Sequence, residues 1–128
     1  MSFDHIAFQV SDMDSSISFY TEKLGFELKS RAIDEEDKEE YAFLEHEDAQ
    51  LELILDLMRE FKKSEIKKPY CPHFCLEVKD MKSSVDLLKK RNVPIVHGPM
   101  ETKGDVTWVY FSDPDNNILE YIQWFKKI

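Results

Sequence analysis

A chain of 128 residues, 42% hydrophobic and 12% aromatic, is long enough to bury a real core and too apolar to be disordered. Its formal charge of −9 argues against nucleic acid and anionic membrane surfaces as partners, since both favour a basic face. With no apolar run of bilayer length, no room for a signal peptide before the first strand, and only Cys71 and Cys75 as thiols, a cytoplasmic protein with free cysteines is expected.

Residues 3–10 alternate, with Ile6, Phe8 and Val10 on one face and His5, Ala7 and Gln9 on the other, which predicts a half-buried strand. Ser11 or Asp12 then caps a helix in which Met13, Ile17, Tyr20 and Leu24 recur at helical spacing, and Gly25 suits the left-handed position that ends it. Phe26 to Ile33 reads as a second strand, and the acidic run Asp34-Glu35-Glu36-Asp37 as a solvated turn. Tyr41 to Glu45 and Gln50 to Leu55 predict an antiparallel pair joined around Glu47-Asp48. Residues 58–70 form a linker whose Lys62-Lys63 and Lys67-Lys68 pairs are read as solvated.

The second half repeats the order. A strand is predicted over 73–79, a helix over Met81 to Arg91, and a short strand over Pro94 to His97 that Gly98-Pro99 breaks. Val106 to Phe111 and Ile118 to Trp124 form the last pair around the turn Asp113-Pro114-Asp115-Asn116-Asn117. The fold class is α+β: two tandem βαβββ modules, antiparallel-rich curved sheets with helices packed outside.

The repetition is also literal. At one offset of 68 (73 − 5), His5-Ile6-Ala7-Phe8-Gln9-Val10-Ser11-Asp12-Met13 finds its His, Val, Asp and Met again in His73-Phe74-Cys75-Leu76-Glu77-Val78-Lys79-Asp80-Met81. At the same offset Phe43 meets Phe111, Leu51 meets Leu119, Glu52 meets Glu120, and Ile54 meets Ile122. Each copy thus carries one His at its start and one Glu near its end. The helix after the first strand must cover Phe8 and Val10, so His5 points to the opposite, concave face, and the repeat places His73 likewise. Glu52, between Leu51 and Leu53, faces away from both, as does Glu120 at its equivalent position. A pseudo-twofold arrangement of the modules would gather two imidazoles and two carboxylates.

A lone strand His is usually structural and a lone Glu solvated. Four at matched positions instead match one divalent ion in charge and offer the nitrogen and oxygen donors that zinc, nickel or cobalt accept. His46, at a turn, and His97, before Gly98, fall outside the pattern and are read as surface or structural residues.

The phrases Ser15-Ser16-Ile17-Ser18-Phe19-Tyr20-Thr21-Glu22-Lys23-Leu24-Gly25-Phe26 and Phe111-Ser112-Asp113-Pro114-Asp115-Asn116-Asn117-Ile118-Leu119-Glu120 resemble the helix and ending motifs of the vicinal oxygen chelate superfamily. Within it, His5, Glu52, His73 and Glu120 are similar to the four-ligand pattern of glyoxalase I (lactoylglutathione lyase). The resemblance implies one domain over 1–128, with module one at 1–57 and module two at 71–128. It also implies metal-dependent conversion of the hemithioacetal of methylglyoxal and a thiol into a 2-hydroxyacyl thioester. Glu120 is the expected main base, with Glu52 as its counterpart. Where glutathione-using relatives place an arginine on the first strand stands Gln9, and Leu53-Ile54-Leu55-Asp56 lacks their Asn-Trp pair, so the thiol stays open. An acyl-CoA thioester epimerase is the nearest rival. An extradiol dioxygenase or fosfomycin-type thiol transferase needs only two His and one carboxylate, and Glu52 counts against both. A metal-free drug-binding module like the bleomycin-resistance proteins is the alternative without catalysis. The expected partners are a small-molecule substrate and, from the open sheet edges, a second copy in a homodimer, with the site within one chain or shared between two.

Overall fold

The computed structural model describes residues 1–126. The chain divides into two compact units, residues 1–64 and residues 65 onward, each built on one mixed four-stranded sheet. The division falls inside the segment read as a linker.

In the first unit β1 (Ile6–Gln9) leads into α1 (Met13–Ser18), then β2 (Glu27–Asp34), β3 (Glu39–His46) and β4 (Ala49–Asp56) follow in sheet order β1-β4-β3-β2. β1 lies parallel to β4, and the other neighbours are antiparallel. The alternation expected of β1 is present: Phe8 and Val10 are buried with Leu51, Leu53, Ala42 and Leu44, while Ala7 and Gln9 face outward. Asp12, not Ser11, caps α1, its Oδ1 accepting from the Ser15 amide at 2.9 Å.

The helix departs from the expected regular spacing. Phe19–Lys23 winds as a π-helix, and the buried positions are Met13, Ser16, Phe19, Tyr20 and Leu24, with Ile17 only half-buried. The Thr21 hydroxyl donates to the Ile17 carbonyl at 2.8 Å, a competing bond of the kind that bends helices. Gly25 follows with φ +82°, the left-handed position assigned to it.

The second unit has the same plan: β5 (His73–Glu77), α2 (Met81–Lys90), β6 (Ile95–Thr102), β7 (Val106–Ser112) and β8 (Ile118–Trp124) in sheet order β5-β8-β7-β6. β5 and β8 are the parallel pair. Asp80 caps α2 as Asp12 caps α1, accepting from the Ser83 amide at 3.0 Å, and Met81, Val85 and Leu88 are buried. Replacing Asp80 with alanine is expected to cost about 1 kcal/mol, visible as a lower urea midpoint. Among the described residues no helix is long and apolar enough to cross a membrane.

Two expectations are corrected. Gly98-Pro99 does not end the sixth strand, which runs on to Thr102 with register irregularities on either side of His97. β6 is an edge strand, where the missing proline N–H costs no ladder bond, and Gly98 takes φ +99° with the Trp108 carbonyl 3.0 Å from where a Cβ would sit. The repeat offset also slips. β3 and β4 turn through Glu47 and Asp48 alone, whereas the Asp113 amide donates to the Asn117 carbonyl across three intervening residues. The extra residue shifts β7, so Glu52 faces Phe43 but Glu120 faces Tyr110. Phe111 is fully buried on the helix side and is not the structural counterpart of Phe43.

The longer turn is built by Asp113, whose carboxylate accepts from the Asp115 amide, the Asn117 amide and the Asn117 side chain, each at 2.9 Å. Asp113 is itself buried, so these bonds satisfy a carboxylate removed from water.

Candidate metal half-sites and the family

Each unit pairs its own histidine and glutamate on the face opposite its helix. In the first, Glu52 stands between the buried Leu51 and Leu53 and is the β4 partner of Ala7, so its carboxylate emerges beside His5. His5 Nε2 lies 3.2 Å from Glu52 Oε1. In the second, Glu120 is the β8 partner of Cys75, and His73 Nε2 lies 2.9 Å from its Oε1. Each imidazole also meets an aromatic edge: His5 on Phe43 at 5.3 Å between centroids, His73 on Tyr110 at 5.4 Å.

The other ring nitrogens decide what the pairs can hold. His73 Nδ1 is 2.9 Å from the Tyr70 carbonyl, which only accepts, so that nitrogen carries the proton. In the neutral ring Nε2 then presents a lone pair to a carboxylate oxygen, an arrangement that favours a cation. His5 repeats it with a different acceptor, Nδ1 lying 2.7 Å from Asp4 Oδ2. An outer acceptor on one ring nitrogen that aims the other at a metal is the usual support of a metal-binding histidine.

The spans fit as well. Bonds of about 2.1 Å to one ion separate adjacent nitrogen and oxygen donors by roughly 3.0 Å at right angles and roughly 3.4 Å in a tetrahedron. Among the described residues no group of three or more His, Cys, Asp or Glu side chains is assembled as a metal cluster. What the structure displays is two donor pairs, one per unit.

Local electrostatics follow from these contacts. The hydrogen bond to Asp4 raises the His5 pKa above its ordinary value, and the Glu52 carboxylate adds to the effect. Although Cys75 is exposed as a residue, partial burial of its thiol and the neighbouring Glu120 push it up to about 12, so it stays protonated. Burial first, then the Glu120 charge, also raises the Tyr110 phenol.

His46 and His97 are placed differently. His46 Nδ1 lies 3.2 Å from the Gly25 carbonyl and tethers the end of β3, the structural role expected of it. His97 stacks on Tyr70, which in turn lies 4.9 Å from Tyr110, so it stands at the edge of the second half-site. Sequence reading put Cys75 on the His73 face by alternation but gave neither it nor Phe43 a place in the site, and it passed over Asp4, Tyr70 and Tyr110, the last hidden by the one-residue slip.

Known proteins are similar to the chain over most of its length. The chain is 29% identical over 121 residues to a probable lactoylglutathione lyase of Vibrio cholerae, covering 93% of this chain and 88% of that protein. It is 30% identical over 120 residues to the metallothiol transferase FosB of Staphylococcus saprophyticus, 93% of this chain and 74% of that one. Against a probable chloroplastic lactoylglutathione lyase of Arabidopsis thaliana the identity is 30%, but this chain spans only 35% of that protein's length. The trypanothione-dependent glyoxalase I of Leishmania major superposes with a TM-score of 0.73 at 28% identity, over 93% of this chain and 84% of that one. A profile match extends over residues 2–121, and the chain belongs to the Glyoxalase/Bleomycin resistance protein/Dioxygenase superfamily.

Proposed function

We propose that this protein is a metal-dependent lyase of the glyoxalase I type, isomerising the hemithioacetal of a 2-oxoaldehyde and a thiol to a 2-hydroxyacyl thioester. One observation carries the reading: in both units a histidine whose Nδ1 lies on an outer acceptor turns its Nε2 to a glutamate oxygen. His5, Glu52, His73 and Glu120 together would hold one nickel, zinc or cobalt ion, the two pairs coming from one chain or from two. Donor chemistry and the equivalence of the repeats support that four-residue set. The relatives named lactoylglutathione lyase support the reaction.

A bound divalent ion would supply Lewis acidity to the two vicinal oxygens of the substrate. The rest falls to the chain. A glutamate carboxylate takes the proton from the hemithioacetal carbon and returns it to the neighbouring carbon, general base and then general acid. The hydroxyl proton passes from one oxygen to the other, so the atoms balance with no oxidant or reductant. Asp4 and the Tyr70 carbonyl hold the imidazoles in one tautomer and one orientation. The Phe43 and Tyr110 rings pack edge-on against His5 and His73. The reading includes a homodimer working in the cytoplasm.

The test is nickel- or zinc-loaded protein assayed with methylglyoxal and a panel of low-molecular-weight thiols, before and after chelation. Thioester formation that disappears with the chelator and returns with the metal is expected. No thioester with any thiol overturns the reading. The identity to FosB favours a second one, transfer of the thiol to an electrophile, and fosfomycin in the same panel distinguishes it by adduct formation without methylglyoxal.

A further inference from the structure

Tyr70 touches the second half-site at two points. Its carbonyl accepts from His73 Nδ1 at 2.9 Å, and its ring lies 4.9 Å from Tyr110 and 5.8 Å from His97, centroid to centroid. Tyr110 in turn meets the His73 ring edge-on at 5.4 Å. The contacts close a circuit, from the Tyr70 carbonyl to His73, from His73 to Tyr110, and from Tyr110 back to the Tyr70 ring.

The backbone at Tyr70 gives this circuit its meaning. Its φ is +64°, in the left-handed region, where a bulky aromatic residue is a true outlier. Its amide donates to the Lys67 carbonyl at 2.9 Å, so Tyr70 ends a turn. Residues 62–69 before it are all exposed, whereas Tyr70 is half-buried. A strained conformation of this kind persists only where its surroundings over-determine it, and such residues gather at functional sites. Supplying a carbonyl needs no particular side chain, and glycine takes this φ readily. What an aromatic ring adds here is an anchor against Tyr110 and His97. The first unit meets the same need with a side chain, the Asp4 carboxylate, which is 90% exposed.

We infer that Tyr70 is a positioning residue of the second half-site: its ring, packed against Tyr110 and His97, holds a strained turn whose carbonyl fixes the tautomer and orientation of His73 for the metal. The inference rests on the metal-site reading, but the tautomer of His73 is measurable without any metal.

The experiment uses the full chain. Heteronuclear NMR of the imidazole nitrogens at mildly alkaline pH reports, in metal-free protein, which nitrogen of His73 carries the proton. Chelator competition with nickel reports affinity. In the parent the proton is expected on Nδ1. Tyr70→Ala keeps a carbonyl but loses the ring; it should mix the tautomers and weaken nickel binding by roughly 10–100-fold, the usual effect of losing a supporting residue. Tyr70→Phe keeps the ring and should match the parent. Tyr70→Gly, which adopts the turn freely but lacks the anchor, should fall between. Cys71→Ala is the control, because its thiol is also near His73 Nδ1, at 3.9 Å, and neither readout should change. Thermal melting of the metal-free variants separates this role from a merely structural one, which would lower the midpoint and leave the tautomer as in the parent. The inference is overturned if the parent's proton is not on Nδ1, or if Tyr70→Ala or Tyr70→Gly keeps the parent's tautomer and nickel affinity. It is overturned equally if Cys71→Ala matches the loss in Tyr70→Ala. A parent that shows the Nδ1 proton yet binds no nickel would instead remove the metalloenzyme reading, and the tautomers would still decide the role of Tyr70.

Discussion

His73→Ala is expected to empty the protein of tightly held metal. After loading with nickel or zinc and exhaustive dialysis, elemental mass spectrometry is expected to find near-stoichiometric metal in the parent and background in this variant. The effect should exceed the roughly 10–100-fold typical of a lost supporting residue, because a donor atom itself disappears. The same loss is expected for His5→Ala, whose Nε2 faces Glu52 as His73 Nε2 faces Glu120. His46→Ala is the control: its ring is spent on the Gly25 carbonyl and the Phe26 ring, so metal content should not change. Retention of metal by both His5→Ala and His73→Ala would mean that the two pairs are ordinary surface contacts, and the metalloenzyme reading would go with them.

The second large effect concerns stability and tests the one-residue slip. Phe111 is fully buried beside Leu119, its β8 partner, with the Tyr121 ring 4.6 Å away. Phe111→Ala is expected to cost about 3–5 kcal/mol, transfer and cavity terms together. That is a large part of the roughly 5–15 kcal/mol that keeps a domain folded. Phe43, which shares its repeat position in the sequence, lies half-buried on the open face against His5 and Tyr41. Its truncation should cost only about 1 kcal/mol, the common value for a point substitution, and should act on the half-site instead. Urea midpoints of the two variants decide it: equal losses would place Phe43 and Phe111 in equivalent environments, contrary to the register.

Much of this molecule is legible along the chain because local physics suffices to write it. Alternation put Phe8 and Val10 against the helix and His5 opposite, since consecutive side chains on a strand have no other choice. Ser11 or Asp12 announced the first helix start, because a short polar side chain there satisfies amides that no carbonyl can reach, and Asp12 is the one that does so. The literal repeat of His and Glu marked the donors, and each pair does meet within its own unit. Where the chain misled, the cause was contact between strands. A continuous offset of 68 cannot register that one hairpin turns in two residues and the other in more, so it paired Phe111 with Phe43. Gly98-Pro99 looked like a strand break because only the sheet order reveals that β6 is an edge, where a missing N–H goes unnoticed. The outer acceptors on the imidazoles came from a neighbouring residue at Asp4 and from a backbone carbonyl at Tyr70, and the second has no side-chain signature at all. Sequence therefore determined which residues are candidates for the chemistry, by a pattern of types that only the chain order displays. Tertiary structure alone decided what surrounds each of them, because the neighbours of Glu52 and Glu120 are set by strand register, and register depends on turn length and pairing across the sheet.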